Sequence, residues 1–551
     1  MRALRTFVTL LACLGACAVP QHDARPGLVT DLCVYGATSA GVIAAVQAKD
    51  DGRTVVLIDC DGWIGGLTTS GLGATDIGNK DAIGGLSREF YRRVRRHYER
   101  PEAWTAEARA RFAGTGHEPG SDTAWTFEPH IAQATFAALL RERGITPLRA
   151  RLDRGPTGVQ KDGARLVALR CEDGTIVRAR VFVDCTYEGD LLAAAGCTFT
   201  VGREGNARHG ESLNGVQTRS ARFHQFTGRV DPYVVPGDAS SGLLPGIDPL
   251  GPGAEGEADR RVQAYCFRIC ATDVVGNRVP WPKPDGYDPR DHELLLRHFE
   301  AGSTLAPWHP VWMPNRKTDS NNHGGVSSDW IGGNHDYPTA DYATRERIVA
   351  AHRRYQQGLY WTLAHDPRVP AKVRAEFTRF GLAADEFVAT GNWPPRLYVR
   401  EGRRLVGEHV VTEHQCMGRT VDHDPAGLGA YAMDSHNVQR HVGADGGVRN
   451  EGDVQVKVPN PYGISYRALQ PRRGEADNLL VPVCVSSSHI AYGSIRMEPV
   501  FMVLGQSAAI AADLAIANDC AVQDVPQDLL TRRLLAAGQV LQWPAAKSPP
   551  R

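Results

Sequence analysis

The chain has 551 residues, and its 62 lysines plus arginines are balanced by 62 aspartates plus glutamates. That length exceeds what one compact core holds and predicts two connected domains, while the zero net charge gives no electrostatic reason to expect nucleic acid or an anionic membrane as partner. With 42% apolar residues, 58 glycines and 34 prolines, the composition suits a loop-rich α/β protein and argues against disorder.

Residues 1–17 read as an export signal, because Arg2 and Arg5 precede a short apolar run that ends in small residues. The run is too short for a membrane span. Leu14-Gly15-Ala16-Cys17 resembles the bacterial lipobox, which implies a lipidated Cys17 at the start of the mature protein; Cys13, after Leu10-Leu11-Ala12, is the alternative. No later stretch reads as long and apolar enough to span a bilayer. The expectation is therefore a periplasmic or cell-envelope lipoprotein with a soluble body. None of the twelve cysteines forms C-x-x-C. Cys33, Cys185 and Cys484 lie in apolar, strand-like runs and are expected to be buried free thiols. Cys266 and Cys270 lack further partners at metal-ligand spacing, so no metal is expected.

Asp31 to Asp59 reads as strand, small-residue turn, helix, strand and acid, the order of a dinucleotide-binding βαβ unit. Its turn has Gly36 and Gly41 in the first and third glycine positions and Thr38 in the second. A threonine there limits how closely the backbone approaches a pyrophosphate, but its hydroxyl can itself donate to a phosphate oxygen. Asp59 stands 23 residues after Gly36, where a ribose-binding acid belongs. Gly65-Gly66-Leu67 would let the chain pass close to a cofactor. A helix is expected over GGLSREFYRRVRRHY. Another follows Pro129, with Ile131, Phe136, Leu139 and Leu140 on its apolar face.

Asp162-Gly163 and Asp173-Gly174 signal hairpins. They lead to a strong strand at Val181 to Val183, then to Gly189-Asp190 and an alanine-rich helix. Residues 205–470 read as a substrate or cap region of long loops rich in Trp, Pro, Asn and His, with helices near 339–366 and 396–414. Residues 471–520 return to a strand, a polar loop and an apolar helix starting near Pro499, and 521–551 read as a tail. The last helix could aim its positive N-terminus at a ring that gains negative charge.

The order of these motifs resembles the FAD-dependent oxidoreductases of the glutathione-reductase-like type. It resembles most a bacterial exported group of that name, some of whose members are labelled xanthan lyase. YGATSAG, WIGGLTTSGLGATD, TFEPHIAQ, VFVDCTYEGDLLAAAG, KTDSNNHGG, LYVREGRRLVGEHVVTEHQ, AMDSHNVQR and SSSHIAYGSIRMEPVFMVLGQSAA carry the resemblance along nearly the whole mature chain. It implies a Rossmann-like FAD-binding domain built from residues 28–204 and 471–520, with an inserted α+β region between them. It further implies that Gly36, Thr38 and Gly41 hold the pyrophosphate and Asp59 the adenosine ribose. Gly65, Gly66 and Leu67 would lie along the flavin, Gly189 and Asp190 would meet the ribityl-phosphate part, and Pro499 would face the pyrimidine edge.

For proton transfer His489 is the first candidate, since a histidine titrates near neutral pH, and Arg496 could support negative charge. Arg400, Arg403 and Arg404 have helical spacing and read either as a charged helix face or as a carboxylate or sugar-hydroxyl clamp. His323 and His436 are expected to be structural or solvated. The activity these features imply is hydride transfer between a polar substrate, such as a sugar or polyol, and FAD, with a quinone, a carrier protein or oxygen as acceptor. The alternatives are a polysaccharide lyase and a carbohydrate-binding lipoprotein without redox turnover.

Overall fold

The structure, a computed structural model, describes residues 27–544. The signal segment and Cys17 lie outside the described residues.

Strand β1 (Leu28–Tyr35), helix α1 (Ser39–Asp50) and strand β2 (Val55–Asp59) form the expected βαβ unit, with β1 and β2 parallel. Helix α1 buries ten of its twelve residues, and a helix apolar all round belongs inside a protein. Helices α2 (Gly85–Glu99) and α3 (Pro129–Glu142) follow, and α3 buries Ile131, Phe136, Leu139 and Leu140. Strands β3 (Leu148–Arg149), β4 (Val159–Asp162), β5 (Arg165–Arg170) and β6 (Ile176–Asp184) complete one sheet of order β3-β2-β1-β6-β5-β4. The two Asp-Gly turns join β4 to β5 and β5 to β6, both antiparallel pairs. The parallel half, β3-β2-β1-β6, has its carboxyl ends on one side, where ligands of open α/β sheets bind.

The sheet is finished by residues far along the chain. Leu479–Leu480 pairs in parallel with Phe182 and Val183 of β6, so the parallel sheet is assembled from discontinuous segments. Helix Glu498–Asn518 then packs on α1 so closely that a β-carbon on Gly505 would lie 2.4 Å from the Ala40 carbonyl oxygen. This helix corrects one expectation. It is long and apolar enough to cross a membrane, with a mean hydropathy of 1.8 over its most apolar window, but 94% of that window is buried within the protein and it serves as a core helix. Residues 521–544 are more than a tail, since helix Gln527–Ala536 buries Leu530 and Leu534.

Between the two halves lies an antiparallel five-stranded sheet with Ile269–Thr272 in its centre, beside the long helix Tyr342–His365. The helix expected over 396–414 does not form. That stretch contains only the two-residue strand Arg404–Leu405 and the short helix Glu413–Cys416. Its arginines mimic helical spacing, yet Arg400, Arg403 and Arg404 are all buried. Each is fixed by a carboxylate: Arg400 by Asp329 at 2.9 Å, Arg403 by Asp190 at 2.9 Å and Arg404 by Glu204 at 2.6 Å. Tertiary ion pairing has outweighed local propensity here. The ten described cysteines are free thiols, eight of them buried.

Candidate functional site: a dinucleotide crevice and a polar cluster

Gly36 sits at the carboxyl end of β1 with φ of +102°, a conformation that L side chains rarely adopt. A β-carbon on Gly41 would come within 1.9 Å of the Gly36 carbonyl oxygen, so the first turn of α1 rests directly on the strand that precedes it. Thr38 is the N-cap of α1 and its hydroxyl accepts from the Gly41 amide at 3.3 Å. That hydroxyl donates to the Cys185 carbonyl at 2.7 Å. This corrects the sequence reading, because the proton expected for a phosphate is spent on tying α1 to the end of β6. Thr38 is admissible in the turn because its side chain points into the protein.

A cavity of about 460 Å³ opens at the carboxyl ends of the parallel strands, lined among others by Tyr35, Cys60, Thr186, Glu188 and Asp190. Asp59, at the end of β2, accepts from the Gly62 amide at 2.8 Å and has Arg149 at 3.6 Å. Burial pushes its carboxyl above the usual range. On the inserted side Arg396 contacts Asp61 and lies over the Tyr187 ring, 5.2 Å from its centroid. Burial lowers the pKa of this guanidinium, against the opposing charges of Cys60, Asp59 and Glu498. Such a group at a dinucleotide crevice suits a phosphate.

Gly65 and Gly66 both have positive φ, and Leu67 donates its amide to the Tyr187 hydroxyl at 2.9 Å. Tyr187 in turn donates to Glu498 at 2.7 Å, and Thr68 donates to the same carboxylate at 2.6 Å. Glu498 and Pro499 form the first turn of the last long helix, so the Gly65–Leu67 stretch and that helix terminus meet as the motif order implied. Gly189 is left-handed at the start of the short helix Asp190–Ala194. Asp190 departs from its expected role. Its oxygens are taken by a two-point pair with Arg345, at 2.6 and 2.9 Å, and by Arg403. A carboxylate so neutralised has little left for ribityl hydroxyls.

His489 is also corrected. It is 2% exposed, its Nδ1 lies 2.8 Å from Glu401 and its Nε2 3.1 Å from the Ser435 hydroxyl. Burial, then the charges of Arg404 and Arg203, lower its pKa to about 3. Both ring nitrogens are occupied, and this histidine is part of a buried network with Glu401 and Ser435.

His436 lies in a second polar cluster. Its Nδ1 lies 2.6 Å from Asp329 and its Nε2 3.5 Å from Asp434. Burial and Arg400 push its pKa down, but Asp329 and Asp434 outweigh them and raise it above the ordinary value. Arg496 pairs with Asp434 at 2.9 Å and donates to the Tyr398 hydroxyl at 3.0 Å. Despite its burial, Asp434 is held at about 2 by His436 and Arg496. Asp453, buried nearby, is raised to about 7 by burial and by Asp434, against the lowering effect of His436. Three guanidinium groups, those of Arg268, Arg400 and Arg496, lie within 6.0 Å of the Tyr398 ring centroid. The cluster adjoins the glycine-rich stretch: Tyr431 reaches Asp76 at 3.4 Å, and Asp319, paired with Arg268, accepts from the Ala74 amide.

A family model for FAD dependent oxidoreductases matches residues 31–534. The chain belongs to the FAD-dependent oxidoreductase family. Its cofactor is FAD, and the turn at Gly36, the crevice at the strand ends and the guanidinium of Arg396 fit a dinucleotide. Comparison with curated proteins gives no match. Solved structures with partial similarity include a flavin-containing monooxygenase from Stenotrophomonas maltophilia, at 19% identity over 34% of this chain and 45% of that one, with a TM-score of 0.19. An FAD dependent oxidoreductase from Pseudomonas aeruginosa aligns at 16% identity over 32% and 55% of the two chains, with a TM-score of 0.21. The OxyS anhydrotetracycline hydroxylase from Streptomyces rimosus aligns at 14% identity over 32% and 36%, also with a TM-score of 0.21. In each case the aligned part spans less than two thirds of the solved chain.

Within this flavoprotein, Glu128, His130 and Glu386 bring ligand atoms within 4.8 Å of one another. The Lys317 ammonium stands among them, 2.8 Å from Glu128 and 2.7 Å from Glu386. It already supplies the positive charge that a metal would bring.

Proposed function

We propose that the protein oxidises a carbinol carbon of a polar organic substrate, such as a sugar or polyol, with FAD as hydride acceptor. The observation that carries this reading is His436, bracketed by two carboxylates beside the glycine-rich stretch. Removing a hydride from a carbinol also releases the hydroxyl proton, and a positioned histidine or carboxylate with a pKa near neutral takes it most effectively. FAD, when bound, supplies the two-electron acceptor. His436 and Asp453 then take the proton, while Arg496, Arg400 and Arg268 offset negative charge at the site. Gly36, Gly41 and Arg396 hold the pyrophosphate, and Asp59 holds the adenosine ribose. A quinone, carrier protein or oxygen reoxidises the cofactor in a second half-reaction.

Anaerobic titration of the FAD-loaded protein with a panel of sugars and polyols tests the reaction class. Flavin bleaching with at least one member, with a carbonyl product in equal amount, is expected. An unsaturated elimination product formed without bleaching would instead identify a lyase.

The reading places the enzyme in the cell envelope, supported by the signal-like residues 1–17 and the lipobox-like Leu14–Cys17. Stable anchoring takes more than one acyl chain, which a lipidated N-terminal cysteine provides. The wild-type protein should fractionate with membranes, and Cys17→Ser should leave that fraction while Cys13→Ser remains. Wild-type protein found wholly in the soluble periplasmic fraction would rule the anchor out.

A further inference from the structure

A second cavity, of about 390 Å³, lies in the inserted region and shares no lining residue with the dinucleotide crevice. Its wall includes Arg440, on the strand Gln439–Val442, together with Arg354, Asp248, Asp291, His335 and Gln439.

Arg440 is exceptional in this protein. Among the described residues ten arginines are buried, and every one but Arg440 has a carboxylate oxygen within 4.0 Å. Arg440 has only neutral acceptors: the Asn450 side-chain oxygen at 2.9 Å and the Gly325 carbonyl at 2.8 Å. The Phe226 ring lies below it at 5.5 Å. Among the described residues no hydrogen bond satisfies its remaining terminal nitrogen, which lies beside the cavity-lining Gly246. Burial lowers the pKa of this group, with only Tyr355 opposing. A guanidinium held at 5% exposure without a counter-charge is unfavourable, and the cavity is where a counter-charge can enter.

The acids on the same wall do not provide it. Asp248 is paired with Arg261 at 2.8 Å, and Asp291 feels the positive charge of Arg354. They remain hydrogen-bond acceptors, as is the Gln439 amide oxygen, and the His335 ring adds a further polar group. One unmatched cation facing several hydroxyl acceptors suits a molecule that has one carboxylate and several hydroxyls. We propose that this cavity is a binding site for a sugar carboxylate, whose acid group pairs with Arg440 and whose hydroxyls are read by Asp248, Asp291 and Gln439. The site is separate from the FAD crevice and stands or falls independently of the redox reading. Its volume is that of a small-molecule site.

Calorimetric titration of the FAD-loaded protein with D-glucuronate and with D-glucose tests the proposal without any turnover. Saturable binding of glucuronate and at least tenfold weaker binding of glucose are expected. Arg440→Gln should weaken glucuronate on the order of tenfold to a hundredfold, the range for losing a hydrogen bond to a charged group. That variant removes an uncompensated buried charge, so it should fold and keep its FAD. If it does not, Arg354→Gln at the exposed rim provides the measurement, and a severalfold loss of glucuronate affinity is expected. The proposal is overturned if glucuronate fails to bind at about 10 mM, if glucose binds equally well, or if the folded variant binds glucuronate as the wild type does.

Discussion

Gly36→Val should give a folded protein that purifies without flavin. At φ of +102° valine is strained by its backbone alone, and even its β-carbon would lie 2.8 Å from the Thr186 methyl and 3.0 Å from the Cys185 carbonyl carbon. The turn can relieve this only by moving away from the end of β6, which opens the seat where a pyrophosphate meets the amides of the α1 N-terminus. The expected result is loss of essentially all bound FAD, read from the visible absorbance of the purified protein, with far-ultraviolet dichroism unchanged. Thr38→Gly makes the informative contrast. It removes the hydroxyl's bond to Cys185, at a cost of about 1 kcal/mol, yet should retain FAD because that hydroxyl does not face the crevice. Full flavin occupancy in Gly36→Val would show that the cofactor lies elsewhere.

His436→Asn is expected to keep FAD and to reduce it at least a hundredfold more slowly with whichever substrate bleaches the wild type, the usual scale for a positioned acid-base group. The pH profile carries further information. The proton acceptor must be unprotonated, so the wild-type rate should rise with pH through the region set by Asp453, at about 7, and by His436, held above its ordinary value, and then level off. The His436 cation lowers the Asp453 pKa. Removing it should therefore move the residual rise to higher pH. His489→Ala provides the comparison: it should lose thermal stability, since it leaves Glu401 and Ser435 without their imidazole partner, while its per-flavin reduction rate stays within a few fold of wild type. Wild-type reduction by His436→Asn, or an unchanged pH limb, would remove this histidine from the chemistry.

Much of the architecture was written locally. The βαβ unit, the two Asp-Gly hairpins and the helix after Pro129 follow from periodicity, turn residues and a proline placed where a helix can start, because each depends on residues close together in the chain. Local pattern also misled. Arg400, Arg403 and Arg404 have helical spacing but occupy an irregular buried segment, since carboxylates 71, 213 and 200 positions away pair with them. His489 sits in a striking motif position for a catalyst, yet Glu401 and Ser435 bury and occupy it. His436 reads as ordinary in AMDSHNVQR; only the fold brings Asp329, 107 residues earlier, against its Nδ1. The sequence by itself determined the βαβ frame, whose turn needs its glycines at short fixed offsets, while the kind of cofactor came from the resemblance carried by the motifs along the whole chain. How each histidine is paired and charged, and which buried arginine lacks a counter-charge, was decided by tertiary structure alone, since pKa and charge balance depend on neighbours in space rather than along the chain.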